Sequence, residues 1–312
     1  MTSHPDARRA YPPEATITMQ PLSDGWPVRL FNWPAETPRG SILFAGGRGD
    51  IIEKYLEAFA HWHEQGWTVS AFDWRGQGGS GRLLADRQVG HSPGFHVWID
   101  DLAQLWTQWV SRTPGPHIIM GHSMGGHLIL RALAERRIAP DAMVLVAPML
   151  GFETAKLPVG LVAGVVGLAA RGRLGERLAW KTNERPGATH ASRAGFLTHD
   201  ADRYSDELWW KTEQPQLALG PPSIKWLADA YRSAVGLRDA DLSGISTRVL
   251  ALGTWGDKLV SPAAIAAMVP RIPGAALHMY GEDVAHEILR EIDSVRDDAL
   301  ARIDSFLQGP MA

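Results

Sequence analysis

The 312-residue chain contains no cysteine, which excludes disulfides, thiol nucleophiles and Cys-ligated zinc. Neither charge is in excess. A net charge of −3 gives no electrostatic case for nucleic acid as a partner. No apolar run reaches the ~20 residues that a membrane-spanning helix needs. The longest, Leu157 to Ala170, is interrupted by Pro158 and by glycines. The N-terminal stretch is rich in proline and charge and lacks the apolar core of a signal peptide, so a cytoplasmic location is expected. Peripheral membrane contact is left open. No internal repeat or low-complexity tract is evident.

What is present is the balance of a soluble globular protein, with 45% hydrophobic and 21% charged residues. Tryptophan is abundant, at 13 residues. Trp98, Leu102, Leu105, Trp106 and Trp109 fall at helical spacing and read as a core face. Thr16–Gln20 and Val28–Trp33 read as two early strands around a Ser-Asp-Gly turn. Strands and helices then alternate. Strands are expected at Ser41–Phe44, Thr68–Phe72, His117–Met120, Ala142–Ala147, Thr247–Gly253 and Ala276–Met279. Helices are expected near Ile51–Gln65, Trp98–Val110, Gly126–Glu135, Pro262–Val269 and Ile292–Leu307. This alternation predicts an α/β fold, a mostly parallel sheet with helices on both faces. The interval from Pro148 to Ser246 breaks the rhythm. It reads as a helical cap inserted after the sixth strand, giving a core of residues 1–148 and 246–312 and a cap of residues 149–245.

Gly121-His122-Ser123-Met124-Gly125 is a G-x-S-x-G segment between an apolar strand and a helix. Such a turn lifts the serine oxygen out of the sheet, with helix N–H groups behind it to receive an oxyanion. A serine nucleophile needs a base, and the base needs an acid to orient it. Asp257 follows one late strand and His286 follows the last, so both belong on the rim with Ser123. Asp283 rivals Asp257 but lies on the histidine loop itself. His122 and His127 are expected to pack away from the reacting oxygen. His61 and His63 lie two apart on a helix, so they share no face for a metal. Gly76-Gln-Gly-Gly-Ser-Gly81 matches G-x-G-x-x-G, with Asp100 and Asp101 downstream, but no apolar-faced helix follows it directly. A Gly-rich connection is the better reading than a dinucleotide site.

Phe72-Asp-Trp-Arg-Gly-Gln-Gly-Gly-Ser80 resembles the D-x-R-G-x-G-x-S loop of α/β-hydrolases. His286-Glu-Ile-Leu-Arg-Glu291 resembles the H-E-[IL]-x-x-E segment of lysophospholipases and monoacylglycerol lipases, and Gly121-His-Ser-Met-Gly-Gly126 is similar to their elbow. The likeness runs from about Gly40 to Leu307. It implies the α/β-hydrolase fold with a cap, and cofactor-free serine hydrolysis of a lysophospholipid or monoacylglycerol ester. It also implies an oxyanion hole made by the backbone amides of Arg48 and Met124. One departure stands out: Gly46 occupies the place where relatives carry histidine, so the bracing of that loop must differ. The Arg48 side chain is expected to face solvent or Asp50, or else an anionic head group. A short-chain esterase, a proline-type aminopeptidase and a lactonase share the elbow and remain alternatives, because specificity lives in the cap. A binding protein that has lost catalysis is the alternative from another class.

Overall fold

The computed structural model describes residues 8–152, 164, 167–170, 172–180 and 190–309. Its centre is an eight-stranded sheet in the order β1-β2-β4-β3-β5-β6-β7-β8. The strands are β1 (Thr16–Pro21), β2 (Pro27–Trp33), β3 (Gly40–Ala45), β4 (Trp67–Phe72), β5 (His117–His122), β6 (Ala142–Val146), β7 (Arg248–Thr254) and β8 (Ala276–Tyr280). Among the described strands only the β1–β2 and β2–β4 pairs are antiparallel. From β4 through β3 to β8 the sheet is parallel, as the alternation of elements requires. β3, β4 and β6 are buried along their whole length, and β6, Ala-Met-Val-Leu-Val, is a continuous apolar run. β1 is largely exposed and alternates Thr-Ile-Thr-Met.

Helices cover both faces. On one lie α1 (Leu56–Glu64), after a 3-10 turn at Ile52–Tyr55, and α8 (Asp293–Gln308). Leu56, Phe59, Trp62, Leu300, Ile303 and Leu307 pack there against Ile42 and Phe44 of β3. On the other face lie α2 (Phe95–Val110), α3 (Met124–Ala134) and α7 (Pro262–Met268), packed against Leu43 and Leu145. Adjacent side chains of β3 thus point into opposite cores. The tryptophan stripe is a core face: Trp98, Leu102, Leu105 and Trp106 are all buried. Burial of each such side chain is worth about 1.5–3 kcal/mol.

Between β6 and β7 the described residues form α4 (His190–Leu197), α5 (Ala201–Glu213) and α6 (Ile224–Asp239). Asp200 and Ser223 cap α5 and α6 through their side chains. Most of the apolar run Leu157–Ala170 lies outside the described residues. A short bridge of Leu178 with Ser223, and of Pro222 with Gly90, joins this region to the loop after β4.

The Gly-rich loop is no phosphate cradle. Asp73 Oδ2 accepts from Gly79 N and Arg29 Nη1, at 2.7 and 2.9 Å. Gly78 adopts φ +49° with the Asp73 carboxylate where a Cβ would sit. Asp101 is buried and held bidentately by Arg75, 2.7 Å at each nitrogen. The loop is a tight turn clasped by its own aspartate.

Candidate active site

β5 lies at the middle of the sheet, where the strand order reverses between β4 and β5 on either side of β3. The crevice at such a switch point is where open parallel sheets place their ligands. β3 and β5 run in register to Ala45 opposite Gly121, so residues 46–50 emerge beside the elbow.

Ser123 sits between β5 and α3 at φ 52° and ψ −117°, a strained conformation for a residue with a side chain. The flanking glycines are there for close approach. A Cβ on Gly125 would lie 2.1 Å from the Ala45 carbonyl oxygen, and one on Gly121 would lie 2.7 Å from Gly126 N. Ser123 N donates to Val146 O and Met149 N donates to Ser123 O, each at 3.0 Å, which pins the turn between β6 and the chain leaving it. Met124 opens α3, so its N–H is among the first-turn donors with no intrahelical acceptor.

Asp257 follows β7 and His286 follows β8, and the two meet. His286 Nδ1 lies 2.6 Å from Asp257 Oδ2, with both side chains buried. Asp257 Oδ1 accepts from Leu259 N and Val260 N at 2.8 and 3.0 Å, so the carboxylate is fully used. Burial disfavours a charged His286 ring, but the Asp257 carboxylate, with Glu287 and Asp50 behind it, outweighs burial and holds the ring's pKa above its usual value. Asp283 is exposed. Ser123, His286, Arg48 and Met124 line one cavity of about 370 Å³. Its apolar wall includes Met149, Phe152, Leu197, Trp226, Leu227 and Tyr231.

The loop carrying Gly46 is braced by different means from those a histidine would supply. Trp74 Nε1 donates to Gly46 O at 2.8 Å, Gly47 N donates to Asp50 Oδ2 at 2.7 Å, and Gly49 N donates to Gln77 Oε1 at 2.7 Å. The Arg48 side chain is half-buried and lines the cavity. Its Nη1 donates to Gly220 O at 3.1 Å and its guanidinium lies 5.5 Å from the Trp226 ring centre. Asp50 in turn accepts from Lys54 Nζ, at 2.6 Å.

His122 also departs from its expected packing role. Its Nδ1 lies 2.8 Å from Tyr55 Oη and 3.0 Å from Asp50 Oδ2, and its ring is 4.8 Å from that of His286. Burial would raise the Asp50 carboxyl, but Lys54 and His122 hold it well below the usual range. His127 does pack: it is buried against Phe95, its Nε2 lies 2.6 Å from Ser233 Oγ, and burial lowers its pKa to about 3. His61 bonds Asp304 at 2.8 Å and His63 stacks on Trp33, so the two diverge.

A buried ionic network behind the site escaped the sequence reading. Lys54 Nζ reaches Asp50, Glu287 and Glu207, at 2.6, 2.6 and 3.4 Å. Glu207, on α5, is shared with Arg193, Lys211 and Arg290. Glu287 and Arg290 pair with each other, and Glu291 Oε1 accepts from Ala285 N at 2.8 Å. The H-E-x-x-R-E string is therefore a clasp that fixes the histidine loop to the region between β6 and β7. Its faint sequence signal is the i,i+4 spacing of Asp50 with Lys54 and of Glu207 with Lys211.

Known proteins resemble this chain in sequence and in fold. Residues 36–293 match the family described as "Serine aminopeptidase, S33". Lysophospholipase L2 of Escherichia coli is 30% identical, over 94% of this chain and 91% of that protein. A monoacylglycerol lipase of Mycolicibacterium smegmatis is 25% identical, over 88% of this chain and 92% of its own length. A soluble variant of Saccharomyces cerevisiae monoglyceride lipase superposes with a TM-score of 0.72 at 16% identity, covering 94% of this chain and 95% of the other. Paleococcus ferrophilus monoacylglycerol lipase superposes at 0.69, with 18% identity over 89% and 98%. The sheet is that of an α/β-hydrolase, and the chain belongs to the serine aminopeptidase S33 family of hydrolases.

Proposed function

We propose that the protein is a serine esterase that releases the fatty acid from a lysophospholipid or monoacylglycerol. The observation that carries the reading is the Asp257–His286 pair, bonded at 2.6 Å, whose histidine lines one cavity with the strained Ser123. Asp257 fixes the Nδ1–H tautomer and leaves Nε2 as the base. Ser123 attacks the ester carbonyl as His286 takes its proton. The amides of Arg48 and Met124 receive the oxyanion; one such donor is worth about 3 kcal/mol. The glycerol oxygen leaves with the proton from His286, and water attacks the acyl-Ser123 by the same route in reverse.

The helices between β6 and β7 act as the cap in this reading and supply the apolar wall for the acyl chain. Exposed Leu168, Leu174 and Leu178 stand beside exposed Arg173 and Arg177, a composition suited to an anionic membrane surface. Exposed Lys258 lines the cavity, while its carboxylates Asp50 and Glu287 are paired with Lys54, which favours a phosphate-bearing head group. The same pairing disfavours an aminopeptidase, whose substrate ammonium would need a carboxylate of its own.

Acyl release from a lysophosphatidylcholine, a monoacylglycerol, a short p-nitrophenyl ester and an aminoacyl amide tests the reading. Release from the first two, abolished in Ser123→Ala, is expected. Activity confined to the short ester or the amide would sink the lipid assignment.

A further inference from the structure

A second cavity, of about 280 Å³, lies between α6 and α7. Three chain segments run from the catalytic cavity into it side by side. Met149 lines the first and Leu150 and Gly151 the second; Tyr231 lines the first and Ala234, one turn on, the second; Val260 lines the first and Ser261 the second. Phe152 lines both, and its ring lies 4.6 Å from that of Tyr231, tilted at 45°. These two rings form the partition. Phe152 is half-buried.

The second cavity is built for a thin apolar object. Gly151 lets α7 approach so closely that a Cβ there would lie 2.6 Å from the Ala264 Cβ, and Ser261 N donates to Gly151 O at 3.0 Å. Small residues, Ala234, Ala264 and Ala267, leave a trough between the helices. At its outer end Arg238 is paired with Asp239, and Arg271 donates to the carbonyls of Arg238 and Ala240, each at 2.6 Å. Those guanidiniums are engaged elsewhere, so the trough presents aliphatic stems and methyl groups along its length.

We propose that this trough is a distal acyl subsite, entered past the Phe152–Tyr231 pair, which receives the terminal methylenes of long-chain substrates. The inference rests on the esterase reading above and adds the chain-length selectivity of the same site. Phe152 is a specificity-determining residue: its ring shuts the tail of a medium chain inside the first cavity and must turn aside for a long one.

The test is the kcat/KM ratio of a palmitate to a butyrate ester, measured for wild type, Phe152→Ala and Ala267→Trp. Removing the ring joins the cavities and raises the ratio, by about fourfold for each methylene newly taken from water. Ala267 is exposed, so tryptophan fits there without disturbing the core; it fills the trough and lowers the ratio. In the double variant the gain of Phe152→Ala disappears. Ester hydrolysis with the same ratio in all four proteins would overturn the subsite and leave the esterase reading intact. A wild type that hydrolyses neither ester would overturn that reading, and the subsite with it.

Discussion

Two aspartate–histidine pairs flank Ser123, and they are wired differently. In the Asp257–His286 pair the carboxylate takes one imidazole and two backbone amides, and the histidine is held by its loop, with His286 N donating to Phe196 O at 3.3 Å. In the Asp50–His122 pair the carboxylate also takes Lys54, Tyr55 and the Gly47 amide. Asp50 thus binds an imidazole into a lattice that continues to Glu287 and Glu207. In the proposed mechanism the first pair passes a proton to and from Ser123. The second is arranged to keep the loop at residues 46–50 and the elbow in one place. Similar side chains at similar distances therefore do different work, and the difference lies in how many partners the carboxylate serves.

The largest effects belong to the first pair. Ser123→Ala or His286→Ala is expected to lower kcat for acyl release by roughly a million-fold, and Asp257→Asn by about ten-thousand-fold, with unfolding midpoints near wild type. His122→Ala should cost far less, about tenfold to a hundredfold, through a loosened elbow. If His122→Ala proved as damaging as Asp257→Asn while folding normally, the distinction between the pairs would collapse.

Glu207→Gln attacks the second pair from a distance. It leaves Lys54, Arg193, Lys211 and Arg290 without the carboxylate they share, and should destabilise the protein by about 3–5 kcal/mol in chemical denaturation. A smaller effect concerns pH. The base form of His286 must be neutral, and its pKa is held above the usual value, so kcat/KM should climb with pH through an apparent pKa above about 6.5. Glu287→Gln removes a negative charge that favours the charged ring and should move that midpoint downward. An unchanged pH profile would mean that the ionic lattice does not reach the catalytic histidine. Smallest of all, Arg48→Ala frees the loop from Gly220 and Trp226. It should lower kcat several-fold and narrow the preference for phosphate-bearing over neutral esters, which parallel assays of the two would detect.

The strands of the sheet were legible in the sequence, and the candidate residues Ser123, Asp257 and His286 could be named from it because each has a local signature. β6 is a continuous apolar run and β3 carries one at Ile42–Ala45, the elbow demands glycine at 121 and 125, and the candidate acid and base each follow a strand end. The register of the strands brings the last two together with no further information. The lattice around Lys54 was not legible, because its members come from residues 50, 54, 193, 207, 287 and 290, and charged residues read as surface until their partners are known. The Arg48 contact with Gly220 was not legible for the same reason: it joins residues 172 positions apart. The helix expected from Ile51 begins at Leu56, because Ile52 N is held by the Asp73 side chain and the first turn is 3-10.

The most direct test of the central claim, that Asp257 and His286 activate Ser123, is the rate and site of labelling by a fluorophosphonate, read by peptide mass spectrometry. The account predicts a single adduct on Ser123 in the wild type, formed far more slowly in Asp257→Asn and not at all in His286→Ala, with both variants folded. An adduct on another residue, or equal labelling rates in wild type and His286→Ala, would contradict it.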